Sequence, residues 1–473
     1  MIIAPRLVPG LLFAMLAAGC ASTNGLSTQA SFTDPNALAA NQSLEGAAHS
    51  PAAWPRADWW KRFNDPQLDQ LMDEALAGSP TLRVAAARLR AALAFTQAAK
   101  AGLYPRVAAD GGVTRERFPE NGLVPPPFNG TWQTEGQLEA TLGYELDFWG
   151  KNRAAYASAL DRARAAEVDA FAARLALSVS IAQAYVQLDR AYLQLDVAER
   201  ALAERVQVHK LTEERFAAGI DSRLAVKQAE AALPATREQI AQWQETIALT
   251  RNQLAALLGQ GPDRGLAIAR PAAAGLASAA IPSTVPAELI GRRPEIVAQR
   301  WRVEAARQDI AAAKAQFYPN VNLSAFVGLQ SIGLSNLLQG SARTLGAGPA
   351  FTLPIFDAGR LRGNLAGTDA EYDAAVEAYN QSLADALRDV VDQLVSFRSL
   401  EEQRTQQALA EATAREAYDL ALQRFREGVG NYLEVLTAES QLLAQQSLDA
   451  DLRARGLNLS INLARALGGG FEN

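Results

Sequence analysis

The residue types that most enzymes use for catalysis and metal binding are nearly absent from this chain. Its 473 residues include two histidines, His49 and His209, and one cysteine, Cys20. Catalytic triads and most protein metal sites need such side chains clustered at defined spacings. The net charge of −6 also lacks the positive field that nucleic acid would require. The composition therefore argues against an enzyme, a cofactor or metal site, and a nucleic-acid partner.

The single cysteine lies where a lipid anchor would be attached. Arg6 precedes an apolar stretch over residues 7–18, and small residues lead to Cys20. This pattern resembles a bacterial lipoprotein signal, and Ala21 resembles the residue that sorts lipoproteins to the outer membrane. The alternative is an ordinary secretory signal with a chance cysteine. We predict a lipoprotein signal peptide over residues 1–19, acylation (palmitate) of Cys20, and a lipid-anchored N-terminal tether over residues 20–58.

The second half of the chain repeats the first half. Residues 99–107 read AKAGLYPRV and residues 313–321 read AKAQFYPNV, while the six residues RFAAGI that start at Arg215 match RFREGV at Arg424. A period of this length excludes a short-repeat solenoid and indicates a duplicated supersecondary unit. We predict a first structural repeat over residues 59–260, a linker over residues 261–286 and a second structural repeat over residues 287–473.

Each repeat contains segments in which apolar and polar residues alternate. The alternation that ends at Trp149 runs for about eighteen residues, roughly 60 Å, which exceeds the usual length of a globular strand. Its polar face carries four acidic residues: Glu135, Glu139, Glu145 and Asp147. A membrane β-barrel needs one apolar face toward lipid and one polar face toward water, although a soluble sandwich strand is the alternative for any single segment. We predict one hairpin from residues 103–118 and 131–149, and another from residues 318–332 and 343–356.

A long segment without glycine or proline follows each hairpin. About 66 helical residues from position 151 would form a rod about 100 Å long, and the second copy is similar from position 368. Gly219 and Gly428 are placed to end these rods in the left-handed conformation. Four strands cannot close a barrel, and an open sheet edge is not viable in lipid. We therefore predict a cyclic oligomer in which neighbouring copies supply the missing strands.

Several separated motifs, in order from about residue 55 to the C terminus, resemble one protein family. They are Trp59-Trp60-x-x-Phe63-x-Asp65-Pro66-x-Leu68, Arg292-Arg293-Pro294-Glu295-Ile296, Tyr318-Pro319, Pro354-Ile355-Phe356-Asp357-x-Gly359-Arg360 and Arg424-Phe425-x-x-Gly428. The chain resembles the TolC-like outer membrane efflux proteins, most closely the acylated OprM/NodT type that serves resistance-nodulation-division (RND) pumps. This resemblance implies an α+β membrane protein with four transmembrane β-strands plus long α-helices per protomer.

The same resemblance implies an assembly and a function. The assembly is a homotrimer with a 12-stranded β-barrel in the outer membrane lipid and a 12-helix α-barrel tunnel in the periplasm. The function is that of the exit duct of a tripartite, multidrug-type efflux pump for small molecules. A periplasmic adaptor (membrane fusion) protein and an inner-membrane RND-type pump would feed the tunnel. The alternatives are an exit duct for type I protein secretion and a periplasmic coiled-coil scaffold or adaptor.

The resemblance also assigns roles to the two helix tips. The residues that would dock the adaptor are Arg215, Phe216, Gly219, Arg424, Phe425 and Gly428. The alternative is that these glycines only end the helices and that the Arg-Phe pairs only pack the turns. The residues that would form the gate and set selectivity are Glu434, Leu433 and Thr437, where Thr437 occupies the position of a second acidic residue in the family. Asn431 and Glu434 also have the spacing of a helix capping box, so a structural role is the alternative for Glu434.

Overall fold

The computed structural model of the protein describes residues 22–39, 41–44, 48–49, 54–272, 280–281 and 291–472. The long elements of the first half are α1 (Pro66–Gly78), α2 (Pro80–Ala101), β1 (Arg106–Arg117), β2 (Trp132–Leu146), α3 (Lys151–Ala217) and α4 (Arg223–Leu257). Those of the second half are α5 (Pro294–Ala315), β3 (Asn320–Ile332), β4 (Arg343–Thr352), α6 (Arg360–Arg426) and α7 (Tyr432–Ala466). The order helix, hairpin, long helix and shorter helix occurs twice, as the internal duplication predicts. Cys20 and the predicted signal peptide lie outside the described residues.

The helices begin and end at local sequence signals. The Asp65 carboxylate accepts hydrogen bonds from the backbone N–H groups of Gln67 at 3.0 Å and Leu68 at 3.3 Å, and so caps α1. Ser222 caps α4 in the same way through the N–H of Ala225. The two rods, α3 and α6, each contain 67 residues. Within the described residues, no helix combines the length and apolar composition that crossing a membrane demands.

The chain divides into two compact units, and the first one contains the sheet. The described residues of this unit are 22–32, 88–166 and 299–379. Its four strands are antiparallel in the order β1-β2-β3-β4, so that β1 and β4 are the two edges. The structure confirms both predicted hairpins. All four strand ends that join a helix lie at one end of the sheet, because successive strands run in opposite directions.

The strand register places most of the apolar residues of the four strands on one face; Phe326 and Ile332 are exceptions. Val107 lies opposite Leu142, Leu138 opposite Leu329, and Val327 opposite Leu345. The other face is polar and includes Glu135 and Glu139, as the alternation predicts. Many of the apolar residues on the first face are exposed in the single chain, among them Val107, Leu138, Val327 and Leu345. This exposed apolar face must be covered by another apolar medium or by another chain.

The assignment of Asp147 to the polar strand face was wrong. Strand β2 ends at Leu146, and the Asp147 carboxylate accepts hydrogen bonds from the N–H groups of Asn152 at 3.1 Å and Arg153 at 2.9 Å. These are among the first N–H groups of α3, which have no partner within the helix. The alternation of residue types continues past the end of the strand, but Asp147 serves the helix that follows.

The described part of the predicted N-terminal tether in this unit is held against α6. The backbone N–H groups of Gln29 and Ala30 donate to the Asp373 carboxylate at 2.9 Å each. The Arg362 guanidinium donates to the carbonyl oxygen of Asn24 at 3.1 Å. Leu26 packs against the buried side chains around Leu365. Residues 22–32 therefore form a fixed strap along the first third of α6.

The second unit consists of the described residues within 33–87, 167–298 and 380–472 and has the larger apolar core. Trp59, Trp60 and Phe63 are buried there beside α1 and α3. The Tyr185 hydroxyl donates to the Asp65 carboxylate at 2.7 Å, and burial together with this bond raises the pKa of Tyr185 far above its usual value. The Trp-Trp-x-x-Phe-x-Asp-Pro motif thus joins three aromatic core residues to a helix cap that is fixed by α3.

Candidate functional site

Both helix tips end in the same left-handed turn. Gly219 has φ +77° and Gly428 has φ +84°. In the first tip the N–H of Ile220 donates to the carbonyl of Arg215 at 2.9 Å, and in the second the N–H of Val429 donates to the carbonyl of Arg424 at 3.1 Å. A bond that reaches back five residues beside a left-handed glycine defines a Schellman cap. The predicted role of these glycines in ending the long helices is therefore confirmed.

Arg215 joins the first tip to the second tip. Its guanidinium Nε donates to Asp221 Oδ2 at 2.7 Å, and its Nη1 donates to the carbonyl oxygen of Phe425. Its Nη2 lies 3.4 Å from the carbonyl oxygen of Gly430, and its Cζ lies 4.3 Å from the centre of the Phe425 ring. Arg215 and Asp221 are both nearly buried. One side chain of the first copy thus satisfies two carbonyl groups of the second copy.

Phe425 is the apolar centre of this joint. Its side chain is fully buried, and its ring meets that of Tyr432 at 6.5 Å between centroids. Val208, Tyr418 and Val435 belong to the same cluster. Because Arg215 and Phe425 are buried within the chain, neither side chain can supply a contact surface to another protein without local opening. The structure assigns them to fixing the tips.

Other tip residues are exposed and apolar. The exposed fractions are 44% for Phe216, 59% for Ile220, 65% for Val429 and 60% for Leu433. Exposed apolar side chains that cluster at one place commonly mark a contact with another protein. Of the residues predicted to dock an adaptor, Phe216 and Arg424 present accessible side chains, and Gly219 and Gly428 determine the shape of the turns that carry them.

Glu434 is bound by its own tip. The side chain of Asn431 accepts the N–H of Glu434 at 3.1 Å and donates from Nδ2 to Glu434 Oε1, also at 3.1 Å. The second carboxylate oxygen lies 3.7 Å from Nε of Arg424, and the Glu434 side chain remains 44% exposed. The carboxylate therefore holds the capping side chain of Asn431 in place and still presents its charge to solvent. Thr437 is satisfied within the helix, because its hydroxyl donates to the carbonyl of Leu433 at 2.8 Å.

A buried ion pair behind the tips was missed by the sequence analysis. The Arg205 Nε donates to both oxygens of Glu439 at 3.0 and 3.1 Å, and its Nη1 donates to the Thr236 hydroxyl at 2.7 Å. These bonds join α3, α7 and α4. Burial raises the pKa of Glu439, and the bonds from Arg205 offset only part of this effect. The available signal was a charged residue on an otherwise apolar helix face, but its partner lies 234 residues away.

The helix end of the sheet in the first unit carries exposed aromatic residues. The rings of Trp149 and Tyr318 stack with centroids 4.6 Å apart, and the indole N–H donates to the carbonyl of Pro319 at 2.8 Å. Phe351 and Phe356 are also largely exposed here. Aromatic side chains are enriched where a membrane β-barrel meets the membrane–water interface. The sheet therefore has the apolar face and the aromatic border of a membrane-embedded sheet.

Similarity to known proteins identifies the family of the chain. The family described as Outer membrane efflux protein matches residues 71–260 and 285–469. The chain belongs to this family. It is 35% identical to the multidrug resistance outer membrane protein MdtP of Escherichia coli (strain K12), over 89% of this chain and 88% of that protein. It is 40% identical to the fusaric acid resistance protein FusA of Burkholderia cepacia, over 76% of this chain and 68% of that protein.

A solved structure of the same family is similar over nearly the whole chain. The crystal structure of the outer membrane protein VceC of Vibrio cholerae matches with a TM-score of 0.83 and 39% identity, over 89% of this chain and 100% of that one. The family, the α+β fold of a TolC-like channel, the role as an outer membrane efflux channel and the outer-membrane location predicted from the motifs are thereby confirmed.

Proposed function

We propose that three copies of this channel protein close a 12-stranded barrel and a 12-helix tunnel, which together form the exit duct of a tripartite RND-type pump. The observation that carries the proposal is the four-stranded sheet, which has an apolar face and two open edges, β1 and β4. Pairing β4 of one copy with β1 of the next would satisfy both edges and turn every apolar face toward lipid. The long helices would then project into the periplasm.

The cargo of this duct is proposed to be small molecules. The relatives are named for multidrug resistance and for fusaric acid resistance, both of which concern small compounds. The alternative of an exit duct for type I protein secretion has the same fold but a different pump. The two functions differ in what accumulates when the gene is deleted, because small toxic compounds would be retained in one case and a polypeptide in the other.

The N terminus and the two repeats complete the proposal. Cleavage after residue 19 and acylation of Cys20 would anchor the chain to the inner leaflet of the outer membrane. The tether over residues 20–58 would lead from this anchor into the first repeat. We place the repeats at residues 59–260 and 287–473, with residues 261–286 as their linker.

The tips are proposed to carry adaptor docking and gating. The exposed Phe216 and Arg424, on turns shaped by Gly219 and Gly428, are the direct docking contacts. Arg215 and Phe425 act indirectly by holding the two turns in register. In a trimer the carboxylates of Glu434 from three copies would form a ring that attracts cations, and Leu433 and Thr437 would line the same constriction.

Purification and bilayer conductance test the assembly and the gate together. The protein extracted from outer membranes should have about three times the mass of one chain, which is 50.6 kDa, and should form narrow cation-preferring channels. Glu434→Gln should weaken the cation preference and leave the helix cap intact, because glutamine retains the acceptor that Asn431 binds. Glu427→Gln is the matched control, since it removes the same charge from the turn outside the proposed ring. A cation preference that survives Glu434→Gln unchanged would reject the ring.

A further inference from the structure

The charged residues on the apolar face of the sheet are all arginines. The register places Arg115 opposite Thr134, Arg117 opposite Trp132 and Arg343 opposite Leu329. Thr134, Trp132 and Leu329 share the face that contains Leu138 and Val327. Within the four described strands, every other residue on this face is uncharged. The polar face is different, because it carries acidic residues such as Asp110 and Glu139, which lie directly opposite each other.

These arginines lie at the end of the sheet that is distant from the helices. Arg115 and Arg117 are in the last three residues of β1, and Arg343 is the first residue of β4. The loops at this end cover residues 118–131 and 333–342. The opposite end of the same face is apolar, with Val107, Leu146 and Phe351. If the helices project into the periplasm, the arginines face the outer leaflet of the outer membrane.

Among the residues that the structure describes, two of the three arginines have no anionic partner. Arg115 and Arg343 are exposed, and within the described residues neither side chain forms an ion pair or a hydrogen bond. Arg117 lies 3.2 Å from Glu120, but both of these side chains are largely exposed. An arginine on the lipid face of a barrel is unfavourable at the membrane centre and is tolerated near the interface, where it can reach polar headgroups. Its planar guanidinium matches the geometry of a phosphate group.

We propose that Arg115 and Arg343 bind the phosphate of a phosphorylated outer-leaflet lipid at each junction between neighbouring copies. This site rests on the closed ring proposed above, because β1 and β4 are opposite edges of one sheet and become neighbours only between copies. Arg117 adds positive charge beside the site. Trp132, which is 62% exposed on the same face, supplies an aromatic side chain of the kind that favours the headgroup region.

Native mass spectrometry of the purified trimer, titrated with lipid A and with dephosphorylated lipid A, tests this site. The wild-type trimer should bind lipid A at least about tenfold more tightly than the dephosphorylated form, since charge-assisted bonds to phosphate distinguish them. The double variant Arg115→Gln/Arg343→Gln should lose that preference. Arg106→Gln is the matched control, because Arg106 lies on the same strand but on the polar face, and its lipid binding should equal that of the wild type.

The outcomes separate the lipid site from the proposed channel assembly. Equal binding of lipid A by the double variant and the wild type, both as trimers, would overturn the lipid site and leave the channel intact. If the wild-type trimer bound dephosphorylated lipid A as tightly as lipid A, apolar contacts alone would hold the lipid and the phosphate site would be overturned. Displacement of lipid A by an excess of inorganic phosphate would show that the site binds free phosphate rather than a lipid. A wild-type protein that is monomeric would overturn both the ring and the junction site.

Discussion

Replacing Arg215 by leucine should loosen the second helix tip although the substitution lies in the first. Leucine removes the ion pair with Asp221, the donors to the carbonyl oxygens of Phe425 and Gly430, and the cation–π contact of the guanidinium with the Phe425 ring. It retains an apolar side chain of moderate size against that ring. The change therefore tests the polar connections of the joint more than its packing.

The expected loss of stability follows from the Asp221 carboxylate, which the substitution leaves buried without a partner. The side chains of Arg215 and Asp221 are 8% and 10% exposed, so solvent screens the pair only weakly. Removing one partner of a buried ion pair typically costs about 3–5 kcal/mol, because the other charge is left uncompensated. Taking the lower value, we expect a loss of about 3 kcal/mol in the local stability of the tips, which is on the order of 100-fold in the opening equilibrium.

Hydrogen exchange of the backbone amides between residues 427 and 434, measured on the assembled protein, reports this opening directly. Arg215→Leu should accelerate their exchange by about the same factor and should raise the conductance of the resting channel. The double variant Arg215→Leu/Asp221→Asn removes the stranded carboxylate, so it should recover about half of the loss. Arg223→Leu, at an exposed arginine near the first tip, is the control.

One result would refute the reasoning. If Arg215→Leu left exchange in the second tip at the wild-type rate while trimer yield was normal, the bonds between the tips would carry no stabilising free energy. The joint would then be held by the apolar cluster around Phe425 alone. If the single and the double variant lost the same local stability, the unpaired Asp221 carboxylate would not contribute to the loss.

Four further substitutions test three other parts of the structure. Gly428→Val should impair efflux at nearly normal trimer yield, because a β-branched residue is strained at φ +84°. An added Cβ would not clash, since its nearest neighbouring atom is 3.8 Å away. Loss of the trimer would indicate a folding role for Gly428 instead. Burial raises the pKa of Glu439, so ionising this group disfavours the folded state, and stability should fall as pH rises above about 4.5. Arg205→Met should steepen the fall of stability with pH and cost about 3 kcal/mol at pH 8, whereas Glu439→Gln should abolish this pH dependence. Both effects are measured by hydrogen exchange across pH. If Glu439→Gln left the pH dependence of stability unchanged, that dependence would belong to other groups. Asp373→Ala should release the strap, lower its local stability by about 1–2 kcal/mol and so accelerate proteolysis within residues 22–32. If the variant were cleaved at the wild-type rate, the strap would be held by Leu26 instead.

The elements that the sequence predicted correctly are those with local signals. Alternation of period two predicted the hairpins, and the absence of glycine and proline predicted α3 and most of α6. Helix α6 begins at Arg360, before the predicted start at position 368, and its first turns contain Gly363 and Gly367. Gly219, Gly428 and Asn431 predicted helix ends, because caps depend on residues within one turn. The same locality explains the error at Asp147, where the alternation of residue types extends beyond the last paired residue of the strand.

Connections between distant residues were beyond these local signals. Arg215 binds a carbonyl 210 residues away, and Arg205 binds a carboxylate 234 residues away. Neither pair has a spacing that a local pattern could reveal. The burial of Phe425 depends on the same long-range packing, so the sequence alone assigned Phe425 and the exposed Phe216 to one docking set.

The arginine and the phenylalanine of the Arg-Phe-x-x-Gly motif have different roles in the two copies, and Asp221 accounts for the difference between the arginines. In the first copy the arginine is buried against Asp221, whereas in the second copy Gly430 occupies the equivalent position and Arg424 is 58% exposed near Glu434. The phenylalanines show the reverse pattern, since Phe425 is buried and Phe216 is 44% exposed. The first copy therefore supplies the arginine, and the second copy supplies the phenylalanine, to a single joint. The remaining arginine, Arg424, and the remaining phenylalanine, Phe216, lie at the surface, where we propose that an adaptor would bind while the joint holds the tips together.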